Sequence, residues 1–253
     1  MNRLIYLALS IALLSCGQKG TNEASAAADT TTAPASSAPT FDGDSAYSYV
    51  SKQVAFGPRV PNTDAHKACS NYLASELKRF GAKVYQQDAV LTAYNGKQLQ
   101  SCNIIGSFNP ENSRRILLFA HWDTRPFSDE DANPDNFRKP IDGADDGASG
   151  VGVLLEIARQ LGMKNPNIGI DIAFFDAEDY GVAKFEREKY NDTNETWCLG
   201  TQFWAKNPHV KDYKADYGIL LDMVGAKNAV FYKEFTSMRY AARFVDAIWD
   251  TAR

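Results

Sequence analysis

Hydrophobic positions in the first half of the chain follow a helical period and then a strand period. Apolar residues recur at helical spacing in residues 44–54 and 63–80, and Gly81 follows the second stretch as a helix-ending residue. Three strand patterns come next, at residues 82–94, 97–108 and 113–121. Asn95 and Gly96 separate the first two and suit a type I′ turn, which predicts a β-hairpin.

The second half alternates between helical patterns and continuous apolar runs. Helical spacing is present at residues 148–162 and 199–206, and apolar runs fill residues 167–179 and 217–226, which we interpret as two buried strands. Apolar strands separated by helices indicate parallel strands covered on both faces. Together with the hairpin, this predicts an α/β fold: a three-layer α/β/α domain with a central mixed, mostly parallel sheet.

The N-terminal segment predicts an exported protein with a lipid anchor. Residues 1–15 carry a basic start and an apolar run too short to span a bilayer, which is typical of a signal peptide. The run stops at "LLSCG", which resembles a bacterial lipobox with Cys16 as the lipidated residue. An ordinary signal peptide with a chance cysteine is the alternative. Residues 16–40, rich in Ala, Ser and Thr, indicate a flexible linker ahead of a folded domain at 41–253.

Charge and cysteine content narrow the partners and the compartment. The formal net charge is −4, and the basic residues form no cluster of the kind that binds nucleic acid. We therefore expect no nucleic-acid partner. The lipobox favours the cell envelope, as a periplasmic or outer-membrane lipoprotein that we expect to be a monomer. Cys69, Cys102 and Cys198 match no zinc-knuckle spacing, and both a disulfide and free buried thiols remain open.

Candidate chemistry collects where the apolar runs end. Acids and one histidine follow three predicted strands or precede a helix: His121, Asp123, Asp145, Asp146, Asp176, Glu178, Asp179 and Asp222. In an open α/β sheet, ligands bind outside the carboxyl ends of the parallel strands. We therefore expect these side chains to converge at one edge of the sheet.

Carboxylates held so close together need protons or a shared cation. With an imidazole among them, zinc is the favoured ion, and magnesium or calcium is a weaker candidate. Each residue taken alone also has a structural interpretation. Asp145 or Asp146 could cap the following helix, Asp123 could be a turn residue, His121 a buried histidine with its hydrogen bonds satisfied, and Asp176 a strand-end residue facing solvent.

The order of four stretches resembles the zinc-dependent M28 peptidase family. They are "AHWDTRP", "IDGADDGASGVGVLLEIARQL", "IAFFDAEDYG" and "GILLDMVGA". Within that family the chain, from about residue 45 to residue 253, looks most like the bacterial glutaminyl-peptide cyclotransferases, or glutaminyl cyclases. The resemblance implies a zinc aminopeptidase-like fold and one bound Zn²⁺, or two if the protein is an aminopeptidase.

The resemblance also implies roles for individual residues. It makes Asp146 and Asp179 zinc ligands, although many relatives have Glu in place of Asp179. It makes Glu178 the catalytic general acid and base and Asp222 a second catalytic residue. His121 would bind metal only where a second ion is present.

Supporting residues follow from the same resemblance. His121 and Asp123 form its His-x-Asp element and would support the substrate pocket. Aromatic side chains would line that pocket, and Trp197 is the candidate we retain, although Trp122, Trp204 and Trp197 itself could each belong to a packed core instead.

A third zinc ligand is expected outside this sequence. In the family it is a histidine in a late Asp-Asp-His motif, and none of His66, His121 and His209 stands in that context. The chain also stops inside a predicted amphipathic helix at residues 238–253. We therefore expect the C-terminal part of the catalytic domain to be missing.

Three functions remain open at this point. The resemblance favours a cyclase that acts on peptide or protein N-termini, converting an N-terminal Gln to pyroglutamate with release of ammonia. A zinc aminopeptidase would use nearly the same residues. A tethered, non-catalytic binding lipoprotein is the third hypothesis, and it predicts that the folded protein holds no metal.

Overall fold

The computed structural model describes residues 38–164 and 166–252. The predicted signal peptide, Cys16 and nearly all of the linker lie outside these residues. Pro39–Arg253 forms one compact structural unit. Among the described helices, none is both long and apolar enough to cross a membrane.

Helices and strands lie close to where the sequence predicted them. The described helices are α1 (Gly43–Val54), α2 (Asp64–Arg79), α3 (Ala148–Met163), α4 (Leu199–Lys206) and α5 (Phe235–Thr251). The described strands are β1 (Lys83–Thr92), β2 (Gln98–Phe108), β3 (Arg115–His121), β4 (Gly169–Phe175) and β5 (Gly218–Leu220). Thr63 caps α2 by accepting from the backbone N–H of His66, so the helix begins where the sequence places it.

The strands form one mixed sheet in the order β1-β2-β4-β3-β5. The predicted hairpin is present: β1 and β2 pair antiparallel, and β2 also pairs antiparallel with β4. Strand β3 pairs parallel with both β4 and β5. This arrangement brings the carboxyl ends of β3, β4 and β5 to the same edge of the sheet.

Helices cover both faces of the sheet, which confirms the three-layer architecture. On one face, Leu73 and Leu77 of α2 and Leu154 of α3 pack against sheet residues such as Ile104 and Ile172. On the other face, Trp204 of α4 lies against the ring of Phe175, with the ring centroids 5.3 Å apart. Burial of these apolar side chains is the main favourable contribution to the fold.

The last predicted strand differs from its expectation. Residues 217–226 were predicted as a buried strand, but β5 holds only three residues, and Leu220 is 54% exposed. In the described sheet β5 pairs only with β3 and forms an edge. Beyond it, Ser149 Oγ and Asp145 Oδ1 accept from the backbone N–H groups of Val224 and Gly225 and draw the chain towards the start of α3.

Gly200, at the start of α4, allows the helix to approach the end of β4. A Cβ at this position would lie 2.2 Å from the carbonyl oxygen of Asp176 and 2.5 Å from Oδ1 of Asn103. We expect Gly200→Ala to lower the free energy of unfolding by about 1–3 kcal/mol, because a backbone carbonyl cannot move aside as a flexible side chain can. Urea unfolding checks this.

The matched control for Gly200→Ala is Gly43→Ala. Gly43 is the first residue of α1, and a Cβ there would meet nothing within 4 Å. Alanine is a better helix former than glycine, so this variant should be neutral or slightly stabilising. Equal unfolding midpoints for the two variants would contradict the steric argument.

Candidate active site

Three strand ends and one helix start bring the predicted side chains together. His121 ends β3, the acid pair Glu178 and Asp179 follows β4, and Asp222 follows β5. Asp146 lies two residues ahead of α3. The expected convergence at one sheet edge is therefore present in the fold.

His121 lies at the centre of this group of acids and is only 4% exposed. Its Nε2 is 2.9 Å from Oδ1 of Asp146 and 3.5 Å from Oδ1 of Asp222. Its Nδ1 is 3.4 Å from Oδ1 of Asp123 and 3.9 Å from Oε2 of Glu178. Burial by itself lowers the pKa of His121, but the carboxylates of Asp123, Asp146 and Asp222 outweigh it and raise the pKa well above its ordinary value.

Asp123 fixes the backbone of the acid pair. Its carboxylate is fully buried, and Oδ1 accepts from the N–H of Glu178 at 3.0 Å while Oδ2 accepts from the N–H of Asp179 at 3.2 Å. A carboxylate that accepts two backbone N–H groups from adjacent residues holds both of those residues in one orientation. The structure therefore gives Asp123 a specific supporting contact and does not make it a simple turn residue.

The two acids of the pair are both buried enough to resist ionisation. Burial raises the pKa of Asp179 to about 9, and the neighbouring carboxylates of Asp123, Glu178 and Asp146 add to this effect. Burial also raises the pKa of Glu178, assisted by Asp123 and opposed by His121. With Asp222, five carboxylates thus lie close to one imidazole, and their mutual repulsion favours a bound cation or a proton.

The residues present fit a metal ion. Two overlapping groups each offer three ligand atoms within 4.8 Å of one another: His121 with Asp146 and Asp222, and His121 with Glu178 and Asp179. Nε2 of His121 and Oδ2 of Asp179 are buried and make no hydrogen bond with the described residues, although Nε2 of His121 lies 2.9 Å from Oδ1 of Asp146. Buried polar atoms of this kind are normally satisfied; one cation would satisfy the Asp179 oxygen, and a second ion would satisfy Nε2 of His121.

The two aspartates ahead of α3 have different contacts, and neither caps the helix. The residue at the cap position is Gly147, with φ of 88°, and no side chain accepts from the first turn. Asp146 faces His121, whereas Asp145 accepts from the N–H of Gly225 at 2.8 Å. The capping interpretation of this pair is therefore wrong.

Asp222 reaches the site from a more open position than the sequence suggested. The apolar run around it predicted a buried carboxylate, but its side chain is 41% exposed. The exposure follows from the short edge strand β5, which ends before Asp222. Its Oδ1 nevertheless lies 3.5 Å from Nε2 of His121.

A buried pair behind the site was missed by the sequence argument. The solvent-facing alternative for Asp176 is wrong: the side chain is fully buried, and both its oxygens lie 2.9 Å from Nε2 of His66. Oδ2 also accepts from the N–H of Cys102 at 2.7 Å. Through Asp176, His66 ties α2 to the turn that carries the acid pair, and its ring also stacks on Trp122. An acid directly after a continuous apolar run was the available signal.

Of the three tryptophans considered for the pocket, one packs on the turn that follows the acid pair. Trp122 is fully buried under His66, and Trp204 packs on the far face of the sheet. The ring of Trp197 packs directly on Gly181, with the Arg125 guanidinium 4.8 Å from the ring centroid. Trp197 thus remains the aromatic candidate for the pocket.

Comparisons with known proteins agree with this fold. The model of the family described as "Peptidase family M28" matches residues 103–252. The chain is 68% identical to the solved structure of a Zn-dependent exopeptidase from Parabacteroides distasonis, with a TM-score of 0.83. It is 66% identical to that of Tannerella forsythia glutaminyl cyclase, with a TM-score of 0.82. Each match covers 85% of this chain and 73% of the other.

Curated relatives are more distant and longer. The glutaminyl-peptide cyclotransferase of Drosophila melanogaster is 26% identical over 187 residues, which make up 70% of this chain and 48% of that protein. The chain spans 33%, 44% and 38% of three further curated relatives, so it covers less than half the length of each. The family match extends over most of the described domain and includes His121, Asp146, the acid pair and Asp222. The chain therefore belongs to the M28 peptidase family.

Proposed function

We propose that this chain carries the catalytic core of a zinc-dependent glutaminyl-peptide cyclotransferase. The observation that carries the proposal is the placement of Glu178, held through its backbone by Asp123, beside a group of side chains that can bind metal. The similarity to a protein described as a glutaminyl cyclase, across 85% of this chain, supports cyclisation as the reaction. Substrates would be peptides or proteins with an N-terminal glutamine.

In this proposal Asp146 and Asp179 hold one zinc ion. Zinc bound there would polarise the amide oxygen of the substrate's glutamine side chain. The unpartnered, buried Oδ2 of Asp179 supports its assignment as a ligand. His121 would serve as a metal ligand only where a second ion is bound.

Glu178 would move the proton. The α-amine of the substrate attacks its own side-chain amide carbon, so a C–N bond forms to the α-nitrogen and the bond to the amide nitrogen breaks. Glu178 takes a proton from the attacking nitrogen and gives it to the leaving nitrogen, which departs as ammonia. Asp222 would stabilise this proton relay from the opposite side of His121, and Trp197 would shape the pocket and limit access of water.

An aminopeptidase is the second candidate, and one contact favours it. Nε2 of His121 lies within 3.5 Å of both Asp146 and Asp222, which together form a second group of potential ligands. Two ions could then share Asp146, and Glu178 would deprotonate water in place of an amine. The similar protein from Parabacteroides distasonis is described as an exopeptidase, which also supports this alternative.

Anchoring and assembly remain predictions. Lipidation at Cys16 would tether a monomeric enzyme to a membrane of the cell envelope, where peptide N-termini are its substrates. Metabolic labelling with a fatty acid, compared between the natural chain and Cys16→Ala, measures this. If the natural chain incorporates no fatty acid, the predicted lipid anchor is wrong.

Ammonia release tests the proposed reaction. We expect the purified protein to release ammonia from a Gln-initiated peptide and to leave a Leu-initiated peptide intact. A chelator should abolish the activity, because the acids at the site then lose their cation, and added Zn²⁺ should restore it. Release of Leu without cyclisation would favour the aminopeptidase. Inactivity on both peptides without bound metal would favour the binding lipoprotein.

A further inference from the structure

The turn that carries the acid pair, residues 176–179, is hydrogen-bonded through its backbone to the segment that begins α4. Backbone N–H groups of Cys198, Leu199 and Gly200 donate to the carbonyl oxygens of Glu178, Ala177 and Asp176, each at 3.0 Å. Three consecutive hydrogen bonds fix the position of one segment relative to the other. The segment at 198–200 is therefore a rigid neighbour of Glu178.

Cys198 has an unusual backbone conformation that accompanies this pairing. Its φ is 53°, in the left-handed region that residues other than glycine seldom adopt. Conformations of this kind persist where surrounding contacts impose them and are frequent at functional sites. Here the side chain points at the acid pair, and its Sγ lies 3.3 Å from Oε1 of Glu178.

The thiol is a donor in this contact. Burial raises the pKa of Cys198 to about 12, and the neighbouring Glu178 carboxylate adds to the shift. A carboxylate oxygen accepts, so within this 3.3 Å contact the thiol donates its S–H to Oε1. The other oxygen of Glu178, Oε2, faces His121 at 3.9 Å from Nδ1.

We propose that Cys198 is a positioning residue for Glu178, which holds Oε1 and leaves Oε2 directed towards the reacting atoms. This inference rests on the proposed role of Glu178 in proton transfer. A carboxylate on a flexible side chain can rotate about its terminal bonds, and a single fixed donor selects one orientation. The thiol provides that donor without adding a charge to an already charged site.

Two substitutions at the same position separate positioning from packing. Cys198→Ala removes the donor, and we expect it to lower kcat for a Gln-initiated peptide about tenfold, since hydrogen bonds to charged groups are among the stronger ones. KM and zinc content should stay within about twofold, because neither ground-state binding nor the metal uses Cys198. Cys198→Ser keeps a donor and should recover most of the loss. An unchanged kcat in Cys198→Ala, or no recovery in Cys198→Ser, would overturn the proposal.

A spectroscopic measurement reads the contact without using activity. The S–H stretching band of Cys198 is isolated as the infrared difference between the natural protein and Cys198→Ser. We expect this band to shift in a Glu178→Ala background, because its acceptor is then gone. A band at the same frequency in both backgrounds would show that the thiol does not bind Glu178. If the natural protein releases no ammonia, the proposed function fails, and this band still decides whether Cys198 holds Glu178.

Discussion

Glu178→Gln is expected to lower kcat for cyclisation by about 10²–10⁴-fold, the usual contribution of a positioned general acid and base. Glutamine has the same shape as glutamate but cannot carry the proton between the two nitrogens. The backbone N–H of residue 178 would still donate to Asp123, and its backbone carbonyl oxygen would still accept from the N–H of Cys198. The turn should therefore keep its conformation, and the loss should come from chemistry. Steady-state kinetics with a Gln-initiated peptide measure the effect.

The control for this prediction is Glu188→Gln, the same chemical change at an exposed residue of the following loop. It should leave kcat unchanged. Zinc content and the urea midpoint should be equal in both variants, because Glu178 is not one of the proposed ligands. A Glu178→Gln variant with more than half of the natural kcat would assign proton transfer to another group. Loss of zinc in that variant would instead make Glu178 a ligand.

The hydrophobic periodicity and the acids that follow the strands were sufficient to predict most of the fold and which residues meet at the site. The run before His121 and the run before Asp176 are continuous and apolar, so both could be identified as interior strands, and their pairing is parallel. Parallel pairing forces their carboxyl ends to the same edge, which is why the acids that follow converge. The local pattern around "GADDG" could not decide which aspartate faces His121, because that choice depends on where Gly225 lies.

Contacts between residues far apart in the chain could not be predicted from the sequence pattern. His66 and Asp176 are 110 residues apart, and nothing local to either residue indicates the other. Likewise, Asp222 belongs to an apolar run, but its exposure depends on how many strands flank β5. Cys198 is separated from Glu178 by a loop of low hydrophobicity, and its approach depends on Gly200 fitting against Asp176. Each of these features is set by tertiary packing and not by propensity.

Asp171→Ala is expected to lower the free energy of unfolding by about 3–5 kcal/mol, the usual cost of leaving one member of a buried ion pair alone. Asp171 lies in the middle of β4 and is fully buried, where both its oxygens accept from the Arg115 guanidinium at 2.8 Å. Ser107 of β2 and Tyr213 also donate hydroxyl groups to it. One carboxylate thus joins three strands and a loop on the far side of the sheet from α3. Urea unfolding followed by circular dichroism measures the loss.

An exposed ion pair gives the matched comparison for Asp171. Asp246 pairs with Lys233 at 2.5 Å, but its side chain is 51% exposed, so Asp246→Ala should cost less than about 1 kcal/mol. Asp171→Asn should cost less than Asp171→Ala, because an amide oxygen still accepts from Ser107 or Tyr213 although the Arg115 charge is left unpaired. A loss at Asp171→Ala no larger than that at Asp246→Ala would mean that water or the carbonyl groups around Arg115 already satisfy the guanidinium. The sheet that positions the acid pair would then depend on apolar packing, and Asp171 would contribute little to holding its strands together.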